Sequence, residues 1–221
     1  MIQVLSHRGL WLEPPEKNTR QAFEASFQAG FGVETDIRDL DGELVISHDP
    51  ARKGCMTFED FMGLVKARLP KNGAPLALNI KADGLAQMLA ERMRQIDRPW
   101  FVFDMSVPDL VQHAKAGNPI FARVSEIETL VRHPALNDSI RGVWLDGFWG
   151  TWYSRETIRS FLEQGLQVCV VSPELHKRSR QEAQAFWDEI KPLSNLDGLS
   201  LCTDWPRDAQ LALHGRFDNL L

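Results

Sequence analysis

The sequence predicts an α/β fold, a (β/α)8 TIM barrel with a small hairpin insertion after strand 2. Eight short, nearly continuous apolar runs recur along the 221 residues, and each is bounded by turn residues. Such runs are typical of parallel strands that are covered on both faces. Amphipathic segments lie between them, and the chain is long enough for eight strand–helix units. An open doubly wound sheet is the alternative.

The predicted strands follow one another at regular spacing. They are VLSHRG from Val4, FGVETDI from Phe31, PLALNIK from Pro75, WFVFDM from Trp100, IFARVS from Ile120, GVWLDG from Gly142, QVCVVS from Gln167 and GLSLCTD from Gly198. Asp41-Gly42 is a turn signal between two short extended runs and predicts the hairpin after the second strand. No linker or low-complexity tract interrupts the pattern, so we expect a single domain over residues 1–221.

The segments between the strands carry helix signals. NTRQAFEASFQAG places Phe23 and Phe27 one turn apart and ends at Gly30, a residue that favours a helix stop. TFEDFMGLVKA opens with capping residues. We expect further helices in DGLAQMLAERMRQI, SVPDLVQHAKAG, SRETIRSFLEQG, SRQEAQAFWDEI and PRDAQLAL, and a weaker one between Glu126 and Leu136.

Composition excludes some classes of function. The net charge of -5 argues against a nucleic-acid-binding protein with a broad basic surface, although a few local cations could still bind a small anion. The N-terminus, MIQVLSHRGL, does not resemble a signal peptide, and no run approaches the roughly 18 apolar residues of a membrane span. Cys169 and Cys202 lie in apolar runs, which predicts buried reduced thiols, a cytoplasmic location and no stable membrane anchor.

Polar residues end nearly every predicted strand. In a barrel the carboxyl ends of the strands share one face, where barrel enzymes place their chemistry. A single charge at a strand end is more often a loop residue or a helix cap. The polar residues at the strand ends are His7, Arg8, Glu34, Asp36, Asn79, Lys81, Asp104, Arg123, Ser125, Asp146, Ser172, Glu174, Thr203 and Asp204.

Glu34 and Asp36 are two residues apart on the second strand, so both side chains point to the same side. The flanking pattern directs them inward, where two like charges repel each other and lose solvation. A hard divalent cation, Mg²⁺ or Ca²⁺, would relieve both costs. Arg8 and Lys81 would then bind a substrate anion, because a guanidinium matches the geometry of phosphate oxygens.

Two histidines suit general acid–base chemistry. His7 ends the first strand, and His48 stands beside Asp49 at the end of LVISHDP. A lone histidine is more often structural than catalytic, but these two lie near paired carboxylates and cations. The remaining four histidines lie in helices or loops, and no role is predicted for them: His113, His133, His176 and His214.

An ordered set of motifs resembles the glycerophosphodiester phosphodiesterase family, within the wider superfamily of phosphatidylinositol-specific phospholipase C. The motifs are SHRG, EKNT and AFEASFQAGFGVETDIRDLDGELVISHD, with a weaker echo in DGLSLCTDWP near the C-terminus. The resemblance implies a TIM barrel and metal-dependent hydrolysis of a small phosphodiester. It implies that His7 and His48 form the acid–base pair, that Glu34 and Asp36 bind the metal, that Arg8 contacts phosphate, and that Glu16 and Asn18 organise the site.

The sequence departs from the family pattern at two points. Lys17 separates Glu16 from Asn18, whereas the family motif is E-N-T without a break. On the third strand the family has E-x-K with a glutamate as metal ligand, and this chain has Asn79, which indicates a variant branch. An amide oxygen can bind Mg²⁺ or Ca²⁺ but brings no charge, so Asp146 or Glu174 could assist.

Two other functions stay open from the sequence. A barrel with Asn79 could bind phosphate or a phospho-sugar without hydrolysing it, although binding alone needs no pair of histidines. A phospholipase-type enzyme acting on lipid phosphodiesters would use Trp149, Trp152 and Tyr153 as an exposed aromatic loop. The alcohol groups of the substrate and the oligomeric state do not follow from the sequence.

Overall fold

The computed structural model describes residues 1–69, 73–131 and 133–215. Within these ranges the chain forms ten strands and seven α-helices. The strands are β1 (Gln3–His7), β2 (Gly32–Leu40), β3 (Glu43–Ile46), β4 (Met56–Thr57), β5 (Leu76–Ile80), β6 (Trp100–Phe103), β7 (Ile120–Val124), β8 (Ile140–Leu145), β9 (Gln167–Val171) and β10 (Leu199–Thr203). The helices are α1 (Arg20–Gln28), α2 (Phe58–Arg68), α3 (Ala86–Met93), α4 (Val107–Ala116), α5 (Arg155–Glu163), α6 (Arg180–Ile190) and α7 (Pro206–His214).

Eight of the strands are parallel and close into a barrel, which confirms the predicted fold class. Their order is β1, β2, β5, β6, β7, β8, β9 and β10, and β10 pairs with β1 to complete the circle. Each of the eight predicted apolar runs overlaps one of these strands. Because the strands are parallel, their carboxyl ends all lie at one opening of the barrel, called the mouth below.

The predicted hairpin is an extension of β2. β3 runs antiparallel to β2, with Ile46 opposite Ile37 and Glu43 opposite Leu40. Asp41 and Gly42 form the turn with φ of 52° and 84°, the left-handed values that a two-residue hairpin turn requires. The short strand β4 then pairs with β3, which the sequence did not indicate. The hairpin returns the chain to the mouth beside the end of β2.

Hydroxyl caps begin five of the helices. The side chains of Thr19, Thr57, Ser106, Ser154 and Ser179 each accept a hydrogen bond from a backbone amide in the first turn of the following helix. Such a cap contributes about 1 kcal/mol to stability. The caps fix where the helices start, and therefore how long the loops at the mouth are.

The weak helix predicted between residues 126 and 136 is wrong for the described part of that segment. A single 3-10 turn, Pro134–Leu136, is present there, and residues 126–131 are irregular. The carboxylate of Glu126 instead accepts hydrogen bonds of 3.0–3.3 Å from the backbone amides of residues 148–150. These bonds tie the loop after β7 to the loop after β8, a tertiary interaction that local periodicity does not reveal.

Apolar side chains fill the barrel interior below the mouth. Phe101 stacks on Phe121 with ring centroids 3.6 Å apart, and Phe103 stacks on Trp144 at 3.8 Å. We call this layer the aromatic floor, and its buried members are Leu5, Ala77, Phe101, Phe103, Phe121, Trp144, Cys169, Val171 and Cys202. The floor separates the mouth from the rest of the interior, so any ligand must bind above it.

Candidate active site

Polar side chains from six strands meet above the aromatic floor. The strand registers place His7 beside Glu34 and Asp36 beside Asn79. Alternate residues of a strand point to the same side, so the residues two positions beyond floor residues also face the interior. By this alternation the mouth receives His7, Asn79, Arg123, Asp146 and Asp204.

Asp36 is fully buried among cations. Its Oδ2 lies 2.8 Å from Nε of Arg8 and accepts a hydrogen bond of 2.8 Å from Nδ2 of Asn18. Its Oδ1 lies 3.7 Å from Nζ of Lys81, which also donates to Asp104 at 3.4 Å. The two residues predicted to bind phosphate are therefore held beside a buried carboxylate, at the mouth of the barrel.

Glu34 is buried with little compensation for its charge. Nδ2 of Asn79 donates to its Oε1 at 3.2 Å, and Nε2 of His7 lies 3.8 Å from its Oε2. Burial raises the pKa of Glu34, and the nearby charge of Asp36 raises it further. A cation bound beside Glu34 would offset both effects.

Three oxygens at the predicted metal site have no hydrogen-bond partner among the described residues. They are Oε2 of Glu34, Oδ1 of Asp36 and Oδ1 of Asn79, and all three are buried. Oxygen donors of this kind fit Mg²⁺ or Ca²⁺. The described ranges contain no cluster of three or more His, Cys, Asp or Glu side chains suited to a metal. The donor set is therefore two carboxylates and one neutral amide, which carries less charge than three carboxylates.

His7 is held by a carboxylate from the opposite end of the chain. Its Nδ1 lies 2.6 Å from Oδ1 of Asp204, and both side chains are about 15% exposed. Burial alone would raise the pKa of Asp204, but the contacts with His7 and Lys17 outweigh burial and lower it. Asp204 is therefore ionised and orients His7, with Nδ1 donating to the carboxylate and Nε2 turned toward Glu34.

The backbone after β1 turns sharply to place Arg8. Arg8 and Asn18 have φ of 61° and 60°, a conformation that costs residues other than glycine about 1–3 kcal/mol when strained. The amide of Asn18 donates to the carbonyl of Arg8 at 2.9 Å, and the Asn18 side chain accepts from Thr35. These bonds hold Arg8 and Asn18 together beside Oδ2 of Asp36.

His48 lies at the rim of the mouth, about half exposed. Its Nδ1 is 3.0 Å from Oδ1 of the exposed Asp49, and its carbonyl accepts from Arg38. The neighbouring Ser47 amide donates to the carbonyl of Asp36 at 3.1 Å, which anchors the loop next to the buried carboxylates. Apart from Asp49, no predicted site residue is in contact with the His48 side chain within the described chain, so the catalytic role of His48 stays a prediction.

Glu16 and the inserted Lys17 belong to the loop after β1. The carboxylate of Glu16 accepts hydrogen bonds from the backbone amides of Leu12 and Glu13, which lower its pKa. Lys17 reaches Oδ2 of Asp204 at 3.4 Å and lies over the Trp11 ring. Among the predicted members of this motif, Asn18 reaches Asp36, whereas Glu16 supports the loop.

Asp146 and Glu174, considered as extra metal ligands, already have partners. Oδ1 of Asp146 lies 2.6 Å from Nε2 of His176 and accepts from the amide of Gly147. Glu174 accepts hydrogen bonds from Ser172 and from Thr203 and the backbone amide of Asp204. Glu174 therefore joins the loop after β9 to the residue that orients His7.

Three residues at the mouth were not assigned a role from the sequence. Asp204 holds His7, Asp104 pairs with Lys81 and Arg123, and His176 pairs with Asp146. The signal available was their position at or just after a strand end, which also fits a loop residue. Their partners are 19 to 197 residues away in sequence, so only the folded barrel reveals the pairs.

The loop after β8 is aromatic and only partly exposed. The side chain of Trp149 is 76% exposed and that of Trp152 is 42% exposed, whereas Tyr153 is buried. Nε1 of Trp152 donates to the carbonyl of Asp146 at 2.7 Å. Across the described residues, no helix combines the length and the apolar character needed to span a bilayer.

Comparison by sequence found no match: no protein-family model fits the chain, and no curated protein matches it. Solved structures do share its fold. A glycerophosphoryl diester phosphodiesterase from Parabacteroides distasonis superposes with a TM-score of 0.68 at 15% identity, over 99% of this chain and 90% of the other.

Two further structures show how widely the fold is used. A Ca²⁺-dependent phosphatidylinositol-specific phospholipase C from Streptomyces antibioticus has a TM-score of 0.56 at 13% identity and covers 96% of each chain. A dihydropteroate synthase from Xanthomonas albilineans has a TM-score of 0.52 at 12% identity, over 96% of this chain and 90% of the other. At these identities the similarity is one of fold.

Proposed function

We propose that this chain is a metal-dependent phosphodiester hydrolase that acts on a glycerophosphodiester or a related alcohol or sugar phosphodiester. The observation that carries the proposal is the set of orphaned oxygens on Glu34, Asp36 and Asn79, beside a histidine that Asp204 holds at 2.6 Å. Two structures with the same fold, a glycerophosphoryl diester phosphodiesterase and a phosphatidylinositol-specific phospholipase C, support it.

In this proposal the substrate phosphate binds between Arg8 and Lys81, the two cations that flank Asp36. Arg8 presents its guanidinium fork to the phosphate oxygens, and Lys81 adds a second positive charge. Glu34, Asp36 and Asn79 hold the divalent ion, which when bound supplies positive charge that offsets the charge developing on the phosphate oxygens. Ca²⁺ and Mg²⁺ both suit these oxygen donors.

His7 acts as the general base. Because its Nδ1 donates to Asp204, the neutral ring leaves Nε2 free to remove a proton from the attacking water or hydroxyl. The resemblance implies that His7 and His48 form the acid–base pair, so with His7 as the base His48 would donate a proton to the leaving alkoxide. Positioned acid–base groups contribute roughly 10² to 10⁴-fold each.

The test is turnover of bis(para-nitrophenyl) phosphate with Mg²⁺, Ca²⁺ or Mn²⁺ and with EDTA. We expect metal-dependent release of nitrophenol, reduced at least about 10²-fold in His7→Ala. A loss of the same order in His48→Ala should appear on an alkyl diester, whose leaving alkoxide needs a proton, because nitrophenolate leaves without one. His133→Ala is the matched control, because His133 is exposed and, among the residues that the structure describes, its ring accepts a bond only from the Ala135 amide. Metal-dependent binding of the diester without release would favour the non-hydrolytic alternative, and full turnover by the His7 variant would refute the assignment.

Asn79 gives a second test of the metal site. Asn79→Asp places a carboxylate where an orphaned amide oxygen now lies, so the half-saturating metal concentration should fall. Asn79→Ala should raise it. If neither variant changes the metal dependence, Asn79 is not a ligand. A cytoplasmic location and a small soluble substrate remain predictions that accompany this function.

A further inference from the structure

A second histidine–carboxylate pair lies across the mouth from the predicted phosphate site. His176 follows β9 in a 3-10 turn, Pro173–His176, and its Nε2 lies 2.6 Å from Oδ1 of Asp146 at the end of β8. We call His176 and Asp146 the distal pair. Asp146 is 6% exposed, and the side chain of His176 is 22% exposed.

The barrel order fixes where the distal pair stands. From β8 the strands run through β9, β10 and β1 to β2, so β8 lies four strands from β2 in an eight-stranded barrel. That is the opposite wall of the mouth from Glu34 and Asp36. Asp146 follows the floor residue Trp144 by two positions, so its side chain points inward. The distal pair therefore faces the same opening as the predicted phosphate site.

His176 is held firmly but has one nitrogen free. Glu174 anchors the turn that carries it through Ser172 and the Asp204 amide, and Arg178 donates to the carbonyls of Gly147 and Pro173. Within the described chain, Nδ1 of His176 forms no hydrogen bond. The ring is thus oriented by the protein and keeps a polar atom available to a ligand.

An aromatic side chain borders the distal pair. The Phe148 ring meets His176 edge to face with centroids 5.3 Å apart, and the Arg123 guanidinium lies 5.5 Å from the Phe148 centroid. Arg123 is already paired with Asp104 and Glu128. The wall therefore offers an imidazole nitrogen and an apolar face; Arg123 is neutralised, and Arg178 already donates to the carbonyls of Gly147 and Pro173. This chemistry suits a hydroxyl-bearing carbon skeleton better than a second anion.

We propose that the distal pair binds a hydroxyl group of the alcohol esterified to the phosphate, so that the substrate is a polyol or sugar phosphodiester rather than a simple alkyl diester. The inference rests on the proposed function, which places the phosphate at Arg8 and Lys81. His176 accepts a hydrogen bond from the substrate hydroxyl at Nδ1, Asp146 holds the imidazole in the tautomer that carries its proton on Nε2, and Phe148 packs against the carbon skeleton.

The experiment compares two esters that share one leaving group, para-nitrophenyl glyceryl phosphate and para-nitrophenyl propyl phosphate. We expect wild-type protein to favour the glyceryl ester in kcat/KM. In His176→Ala the ratio of the two kcat/KM values should fall roughly 2- to 10-fold, the size expected for a lost neutral hydrogen bond, mostly through KM for the glyceryl ester. His176→Gln, which keeps a hydrogen-bonding group, should recover part of the ratio, and Asp146→Asn should lower it.

The outcomes separate the two proposals. If kcat/KM in His176→Ala falls by the same factor for both esters, or for neither, their ratio is unchanged. That result would overturn the distal pair as a hydroxyl-binding site and leave the hydrolase proposal intact. A wild-type protein that hydrolyses neither ester with any of the three metals would overturn the proposed function, and with it the inference. A thermal melt of each variant identifies a loss that comes from unfolding, because such a loss affects both esters together.

Discussion

Replacing Asp204 by asparagine tests whether the contact with His7 acts through charge. Asp204 and His7 lie 2.6 Å apart, and each side chain is about 15% exposed, so solvent screens the contact only partly. Asparagine can still accept a bond from Nδ1, but without a negative charge. The backbone of Asp204 is held independently, because its amide donates to Glu174 at 3.0 Å. The substitution should therefore leave the loop in place.

The expected loss follows from the two kinds of hydrogen bond. A bond to a charged group contributes about 1.5–3 kcal/mol and a neutral one about 0.5–1.5 kcal/mol. Exchanging one for the other should cost about 1–2 kcal/mol, which is roughly a 5- to 30-fold loss of kcat/KM. Asp204→Ala removes the bond altogether and should lose roughly 10- to 150-fold.

The assay is kcat and KM on the aryl diester at saturating metal, with a thermal melt of each variant. The matched control is Asp208→Asn, which neutralises an exposed aspartate that lies 2.6 Å from Arg180. An exposed ion pair contributes little, so its activity should stay within about twofold of wild type. The reasoning is refuted if Asp204→Asn equals wild type, or if it loses as much as Asp204→Ala with an unchanged melting temperature.

Three further predictions concern metal, thiols and packing. Ca²⁺ or Mg²⁺ should raise the melting temperature of wild-type protein more than that of Glu34→Gln. Because burial raises the Glu34 pKa, the wild-type gain in melting temperature should shrink as the pH falls and the carboxyl takes up a proton. Equal gains in both proteins would exclude Glu34 as a ligand. Only Cys55 should react quickly with a thiol reagent in folded protein, because Cys169 and Cys202 are fully buried and burial raises the Cys169 pKa to about 12. Fast labelling of all three cysteines would contradict the burial of Cys169 and Cys202 in the aromatic floor. Gly142→Ala should lower stability by about 1–3 kcal/mol in urea unfolding, because a Cβ there would lie 2.6 Å from atoms of Phe121 and Gln167; an unchanged midpoint would mean that the strand shifts freely.

Local patterns were sufficient to predict most of the fold. The apolar runs gave the barrel strands, and the Asp41-Gly42 signal gave the hairpin, because both depend on residues close together in sequence. The helix expected after β7 failed because Glu126 bonds to backbone amides more than 20 residues away. The periodicity of apolar residues does not reveal such a long-range hydrogen bond, which holds the segment out of a helix.

The candidate site was predicted in part for the same reason. The side-by-side placement of Glu34, Asp36 and Asn79 follows from strand alternation and register. The partners of the histidines do not, since Asp204 is 197 residues from His7 and Asp146 is 30 residues from His176. The contact of the inserted Lys17 is also visible only in the folded chain, where its ammonium donates to the carboxylate of Asp204.

The ion pair between Asp104 and Arg123 joins the ends of β6 and β7, and this joint has a consequence for how the barrel opens. In the described chain β6 and β7 are joined through one paired position, Val102 opposite Ile120, the fewest of any two neighbouring barrel strands. Hydrogen exchange should therefore find these two strands separating first. The other seven pairings would then hold the chain as one open sheet with β6 and β7 at its edges, so Lys81, after β5, and Asp146, after β8, would move apart before any strand unfolds.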